Sequence, residues 1–163
     1  MAGGVGLQRD IGAIIAGHFG LANVTITSDT TSDNDPQYGP SIDRLNLGRR
    51  YLSCKVLVPF QAAVSNGKKA SVSAGIQDSG DGSSWADYST DTEPGATVLG
   101  TSATSASSTG GNSAAYHNVD LTRARRYIRM KATADLSASS SSNNNVALAG
   151  VVVFAGAEAV PAT

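Results

Sequence analysis

Alternation of apolar and polar residues at every second position is the feature that most limits how this chain can fold. Between positions 70 and 77 every even residue is apolar, and the residues between them are Ser, Gly or Gln. Segments 52–60 and 128–134 also have apolar residues at every even position. Because successive side chains of a β-strand point to opposite faces of a sheet, this pattern predicts half-buried antiparallel strands and an all-β fold.

A second kind of segment is apolar on both faces. The run from Val146 to Phe154 contains no polar side chain, which predicts a strand at the centre of a sheet. Weaker strand patterns occur at 21–27, 44–47, 84–88, 97–99 and 115–121. Strands this numerous, separated by turn residues at short spacing, predict an antiparallel β-sandwich or jelly roll. The side chains predicted to lie inside it are Leu52, Cys54, Val56, Val58, Val72, Ala74, Ile76, Ile128, Met130, Leu148, Val152 and Phe154.

Turn residues separate these segments. Asn66-Gly67 is typical of a tight hairpin, because both central residues of a type I′ turn need positive φ. Asp81-Gly82 predicts another turn. The polar segments 28–41, 101–113 and 137–145 are expected to be loops, the last of them the exposed tip of a hairpin.

The first twenty residues are predicted to form an arm ahead of a single β-sandwich domain at 21–163. Ile11, Ile14, Ile15 and Phe19 recur at roughly helical spacing, while the glycines among them weaken a helix. Residues 1–20 are therefore either a short helix or an extended, flexible arm. These four side chains need an apolar contact, either on the chain's own sandwich or on another protein.

Composition limits the partners that the chain can bind. Its net charge is −1 and only 15% of its residues are charged, so it has no strong attraction for phosphate and nucleic acid is not an expected partner. It has no apolar run long enough to span a membrane, and a secretion signal is not expected from its first residues. A single cysteine, Cys54, allows no intramolecular disulfide, which agrees with synthesis in a reducing cytoplasm. Low charge also leaves little repulsion between copies, which favours a homo-oligomer.

No pattern for catalysis is visible. The two histidines, His18 and His117, lie about a hundred positions apart, and His117 shares a strand face with apolar residues. Cys54 lies on the apolar face of its strand, where a free cysteine acts as a small hydrophobe. The sequence also lacks the short motifs of hydrolases, metalloproteases and nucleotide-binding proteins. We therefore expect a protein that is not an enzyme and has no cofactor.

Acidic residues cluster in two regions of the chain. Carboxylates favour calcium, but Asp is also the expected residue in turns because it bonds to the local backbone. Turns are the favoured interpretation, with no metal, and a calcium site is the alternative. The clustered residues are Asp29, Asp33 and Asp35 in one region, and Asp78, Asp81, Asp87, Asp91 and Glu93 in the other.

One resemblance concerns residues 77–88 together with the downstream Arg126-Tyr127-Ile128-Arg129-Met130. The upstream segment reads QDSGDGSSWADY and resembles the sequence of discoidin-like, galactose-binding-like sandwiches. That resemblance implies a carbohydrate-binding module, in which Trp85, Tyr88 and Asp81 would line the ligand site. The alternative is that Trp85 and Tyr88 pack within the domain.

The favoured resemblance covers most of residues 40–163. A QDSGDGSSWAD turn, an RYIRMK strand, a Ser-rich tip and a GAEAVPA tail together resemble small virion proteins of tailed bacteriophages. The resemblance implies a capsid cement or decoration protein, made in the host cytoplasm and bound to the head surface. Its partners would be the major capsid protein and copies of itself, as a dimer or trimer, and a receptor-binding virion component is an alternative. The expected capsid-contact arm is Ile11, Ile14, Ile15 and Phe19.

Overall fold

The computed structural model describes residues 15–28, 34–48, 50–65, 68–90, 96–99, 108–136 and 144–157. All the regular structure in these residues is β-strand, apart from one 3-10 turn at Arg44–Leu47. None of it is a helix of the length and hydrophobicity that crossing a bilayer requires. The strands are β1 (Ala16–Thr27), β2 (Gln37–Tyr38), β3 (Ile42–Asp43), β4 (Tyr51–Ser65), β5 (Lys69–Ser79), β6 (Ala86–Thr90), β7 (Ala96–Leu99), β8 (Ser108–Asp120), β9 (Tyr127–Leu136) and β10 (Asn145–Ala157).

The strands form two antiparallel sheets. Sheet A has four strands in the order β1, β10, β4, β8. Sheet B has six: β2 and β3 pair with β9, β9 pairs with β5, and β6 and β7 pair with opposite ends of β5. The first strand thus pairs with the last, the second and third with the next to last, and so on inwards, as if one long hairpin had been rolled up. This is the arrangement of a jelly roll, and it confirms the predicted fold class.

The core lies between the two sheets, and the alternating residues supply it. Every predicted core side chain is buried except Leu52, which is partly exposed. The prediction for Leu52 was wrong because Tyr51 turns inward instead and packs against Phe154, with ring centroids 5.7 Å apart. The regular alternation of β4 therefore begins only at Cys54. As predicted, β10 lies inside its sheet, between β1 and β4.

Two predicted hairpins are wrong, for the same reason. β4 and β5, on either side of Asn66-Gly67, belong to opposite sheets, and so do β9 and β10, on either side of segment 137–145. Both connections therefore cross between sheets. A turn signal is local and does not specify which strand becomes the partner. Residues 66–67 and 137–143 themselves lie outside the described residues.

Three segments differ from their predicted structure, the first being the predicted loop 28–41, in which Gln37–Tyr38 form β2 and pair with β9. Residues 44–47 form the 3-10 turn and not a strand, because the Asp43 carboxylate accepts the Leu45 N–H at 3.0 Å and Gly48 ends the turn at φ 74°. Residues 108–113, predicted as loop, are the first half of β8. The side chains of these small residues give no strand signal, but backbone pairing with β4 holds them in the sheet.

Residues 16–20, predicted as part of the N-terminal arm, belong to a strand. β1 begins at Ala16 and pairs with β10 from Ala16↔Phe154 onwards, so residues 16–20 are a strand of the sandwich and neither helix nor arm. Phe19 accordingly lies in β1, and Ile15 directly precedes that strand. Ile11 and Ile14 lie outside the described residues.

Candidate functional site

The outward face of sheet A stands out among the described surfaces because its side chains are mostly apolar or uncharged. Its side chains come from the positions that alternate with the buried ones. They are Phe19 and Thr25 of β1, Ala147, Ala149, Val151 and Val153 of β10, Lys55, Leu57, Pro59 and Gln61 of β4, Asn112, Ala114, Tyr116 and Asn118 of β8, and, at the margin, Ser53 of β4 and Asp120 of β8. We call this surface the A face. Most of its area is apolar or uncharged.

One apolar row crosses the A face from edge to edge. Strand register places Phe19 beside Val151, Val151 beside Leu57, and Leu57 beside Tyr116. Phe19 is 59% exposed, Tyr116 57% and Val151 40%. Side chains directly opposite one another on adjacent strands are in contact range, so these residues form a continuous apolar strip on the surface. Scattered exposed hydrophobic residues are ordinary, whereas large contiguous apolar patches are typical of interaction surfaces.

Charge is nearly absent from the A face. Of its described side chains only Lys55, and Asp120 at its margin, are charged. The Lys55 ammonium lies 4.6 Å from the centroid of the Tyr116 ring, in a cation–π contact. Beside this contact is an open depression of about 480 Å³ lined by residues that include Ser53, Lys55, Asn118 and Val153. The face therefore has both projecting aromatic rings and a recess.

The outward face of sheet B is polar and internally bonded. The Arg129 guanidinium lies between two aromatic rings, 4.2 Å from the centroid of Tyr38 and 4.4 Å from that of Trp85. It donates to Gln77 Oε1 at 2.9 and 2.7 Å. Gln77 in turn donates to Asp87 at 2.7 Å, and Lys131 pairs with Asp87 at 2.9 Å. The charged groups of Arg129, Asp87 and Lys131 thus have partners on the same face, and the two faces of this sandwich differ sharply.

The predicted sugar-site residues each have a structural contact. One face of the Trp85 indole is covered by Arg129. The Tyr88 hydroxyl donates to the carbonyl of Asp120 at 2.7 Å, which ties β6 to the end of β8. The Asp81 carboxylate accepts the N–H groups of Ser83 and Ser84, both at 2.8 Å. These contacts favour the packing alternative for Trp85 and Tyr88.

Asp81 lies in the predicted turn, which is confirmed by the φ of 76° at Gly82. Hydrogen bonds from the backbone of Ser84 and Ser83, and from the Ser79 hydroxyl, hold the pKa of Asp81 well below its usual range. In the second acidic region Asp78 is bonded to Arg125 and Asp87 to Lys131. Among the described residues no group of three or more His, Cys, Asp or Glu side chains could hold a metal ion. Residues 29, 33, 91 and 93 lie outside that description.

Arginines are concentrated at one end of the sandwich, where they close the core. The Arg44 guanidinium donates to the carbonyl oxygens of Leu121, at 2.9 Å, and of Ala124 and Arg125. An open depression of about 460 Å³ at this end is lined partly by Arg44 and Arg126. Arg126 is itself paired with Asp43 at 2.7 Å. The hydrogen bonds of Arg44 assign it a structural role, binding β3 to the connection between β8 and β9.

One pair was not visible in the sequence. The Ser89 hydroxyl and His117 Nε2 lie 2.6 Å apart, although 28 positions separate the residues. Ser89 belongs to sheet B and His117 to sheet A, so this hydrogen bond joins the two sheets. A serine next to a histidine is also the first requirement of a nucleophilic hydrolase. No local motif marks the pair, because only the packing of the sheets brings it together.

We expect the Ser89–His117 bond to be structural. A Ser89→Ala variant should lose about 1 kcal/mol of unfolding free energy, measured by urea denaturation, because one hydrogen bond between the sheets is removed. The wild-type protein should not be labelled by a fluorophosphonate, which reacts with activated serines. Labelling that Ser89→Ala abolishes would contradict this expectation and make the chain a candidate hydrolase.

Cys54 is buried in β4, as predicted. Burial raises the pKa of its thiol to about 12, so almost none of it is thiolate at pH 8. We expect no reaction with Ellman's reagent in the native protein at pH 8, and one equivalent per chain after denaturation in guanidinium. Rapid labelling of the native protein would show that β4 opens locally.

No protein-family model and no curated protein matches the sequence. Among solved structures, the fold is similar to the PBSX exported protein XepA over 91% of this chain and 39% of that one, at 14% identity and a TM-score of 0.45. It is similar to the infectious bursal disease virus VP2 subviral particle over 86% of this chain and 31% of that one, at 10% identity and a TM-score of 0.49. It is similar to the Desmodium yellow mottle tymovirus structure over 91% of this chain and 92% of that one, at 10% identity and a TM-score of 0.29. These likenesses lie in the arrangement of the strands, and no activity, ligand or partner follows from them.

Proposed function

We propose that the protein is a structural virion component, a cement or decoration subunit that stabilises a phage capsid through protein–protein contacts. The observation that carries this proposal is the A face. A surface with few charges and with exposed aromatic side chains loses little on desolvation and gains apolar contact, which is what the centre of a protein–protein interface requires.

Two further observations support an assembly role over catalysis or ligand binding. In the described residues, side chains that could act in catalysis or bind a ligand instead contact one another: Asp78 with Arg125, Asp87 with Lys131, and Ser89 with His117. The segments QDSGDGSSWAD and RYIRMK also resemble those of small phage virion proteins. In this proposal the chain is not an enzyme and takes no cofactor. Residues before Ala16, with Ile11 and Ile14, supply the contact with the major capsid protein.

The test uses purified particles of the virus that encodes the chain, and particles of a deletion strain. The protein should be present in wild-type particles at a copy number that matches the symmetry sites of the capsid. Deletion particles should release their genome at a lower temperature, and added purified protein should restore the wild-type value. The control is a Thr133→Glu variant, altered on the outward face of sheet B, which should restore it equally. Finding the protein only in the lysate, or particles indifferent to its loss, would contradict the proposal.

A further inference from the structure

We propose that two copies of the chain pair through their A faces to form a two-fold dimer. This inference deepens the proposed function, since it names the partner at that surface, and it rests on the proposal that the A face binds protein. The row of Phe19, Val151, Leu57 and Tyr116 would lie at the centre of the interface.

The size of the A face fits a stable dimer. With strands about 4.8 Å apart, the four-stranded sheet is about 19 Å wide. With a rise of about 3.3 Å per residue, it is about 35 Å long from Ser53 to Ala63 of β4. The flat area is roughly 700 Å², before the relief of the side chains is counted. A standard protein–protein interface buries about 800 Å² on each partner. One A face therefore supplies about the area that a stable dimer needs from each subunit.

Its charge and shape suit self-association. A two-fold interface brings the same patch of both subunits together, so a face with charges of one sign would repel itself. The charged side chains described on the A face, Lys55 and Asp120, have opposite signs and sum to zero. The projecting Phe19 and Tyr116 and the depression beside Lys55 lie on the same face. A surface with both projections and a recess can be complementary to its own copy.

A second copy fits this face better than the chain's own first residues. β1 is the edge strand of sheet A and begins at Ala16. A segment of the length that precedes it would reach roughly 45 Å when extended, enough to cross the sheet. A single extended segment, however, covers a strip about 5 Å wide, which is about a quarter of the width of the face. A second four-stranded sheet, packed face to face at about 10 Å, covers all of it.

The first test is the mass of the purified full-length chain in solution. Sedimentation equilibrium should give twice the chain mass of 16.5 kDa at micromolar concentration. The variants Phe19→Glu and Tyr116→Glu should each raise the dissociation constant of the dimer at least about 30-fold, because each buries a charge in the apolar row of the interface. Both positions are exposed in the monomer, so circular dichroism should show an unchanged fold, and two variants guard against the failure of one. Thr133→Glu is the matched control and should remain dimeric.

A second test locates the contact. Cys54 is buried, so a Val151→Cys variant has one accessible thiol in the middle of the row. A short bismaleimide should cross-link this variant into dimers, and it should not cross-link a Thr133→Cys variant on the opposite side of the sandwich. A chain that is monomeric at all concentrations overturns the inference. So does an oligomer that survives both glutamate variants, or one that is lost only when residues 1–14 are removed.

The two proposals can fail separately. If the wild type is monomeric but binds particles, and Phe19→Glu abolishes that binding, the A face binds the capsid protein and the dimer is wrong. If the dimer forms as described but the protein is absent from particles, the dimer is right and the virion role is wrong.

Discussion

A Gly39→Ala variant is expected to lose the native fold or at least about 3 kcal/mol of unfolding free energy, a large effect for the addition of one methyl group. A Cβ at Gly39 would overlap the carbonyl oxygen of Gly20 and lie 2.8 Å from its carbonyl carbon. Gly39 cannot retreat easily, because its N–H donates to the carbonyl of Met130 at 2.9 Å. The obstacle is the backbone of Gly20, so no side-chain rotation relieves it.

Thermal denaturation of the purified variant, or its partition into the insoluble fraction on expression, measures this effect. Gly17→Ala is the matched control, because nothing lies within 4 Å of the added Cβ. Its melting temperature should stay close to that of the wild type. A Gly39→Ala protein with the same melting temperature as the wild type would show that the connection between β2 and β3 does not pack on β1 as described.

An Asp78→Ala variant is expected to lose about 3 kcal/mol of unfolding free energy at pH 7. Asp78 is buried, and its carboxylate accepts three hydrogen bonds from Arg125: from the backbone N–H at 2.9 Å, from Nε at 2.9 Å and from Nη2 at 2.6 Å. Its removal leaves the Arg125 N–H without this acceptor and weakens the attachment of the connection between β8 and β9 to β5, where the bond from Arg125 Nη2 to the carbonyl of residue 78 is retained. Because the Arg125 side chain is about half exposed, water compensates part of the loss.

The contribution of Asp78 should also depend on pH. Burial by itself would raise the pKa of Asp78, but the hydrogen bonds and charge of Arg125 outweigh it, and the pKa is lowered. Near pH 4 and below, the unfolded chain therefore binds more protons than the folded one, so stability falls as the pH falls. The difference in unfolding free energy between wild type and Asp78→Asn should be largest above about pH 5 and should become smaller as the pH drops below 4.

Urea denaturation at pH 7 and at pH 3 measures both effects. Asp135→Asn is the matched control, because Asp135 is exposed on β9 and its substitution should change stability by less than about 0.5 kcal/mol at either pH. A difference in unfolding free energy between wild type and Asp78→Asn that stays constant across this range would mean that folding does not change the pKa of Asp78.

Much of the fold could be predicted because side-chain alternation is a property of the local backbone. Val72, Ile76, Ile128 and Met130 are buried as their even spacing predicts, and the doubly apolar run at 146–154 lies inside its sheet. Where a contact from elsewhere in the chain intervened, the prediction was wrong. Tyr51 is buried where Leu52 was predicted to be, because it packs on Phe154, which is far away in the sequence but on the neighbouring strand.

Sequence by itself determined which side of each strand faces the core, since neighbouring side chains on a strand must point in opposite directions. It could not determine which strands pair, because pairing and register depend on contacts between segments far apart in the chain. Only the tertiary structure therefore assembled Phe19, Val151, Leu57 and Tyr116, from four separate strands, into one row. The same reason applies to the Ser89–His117 bond and to the close approach of Gly39 to Gly20, which exist only where the two sheets of the sandwich meet.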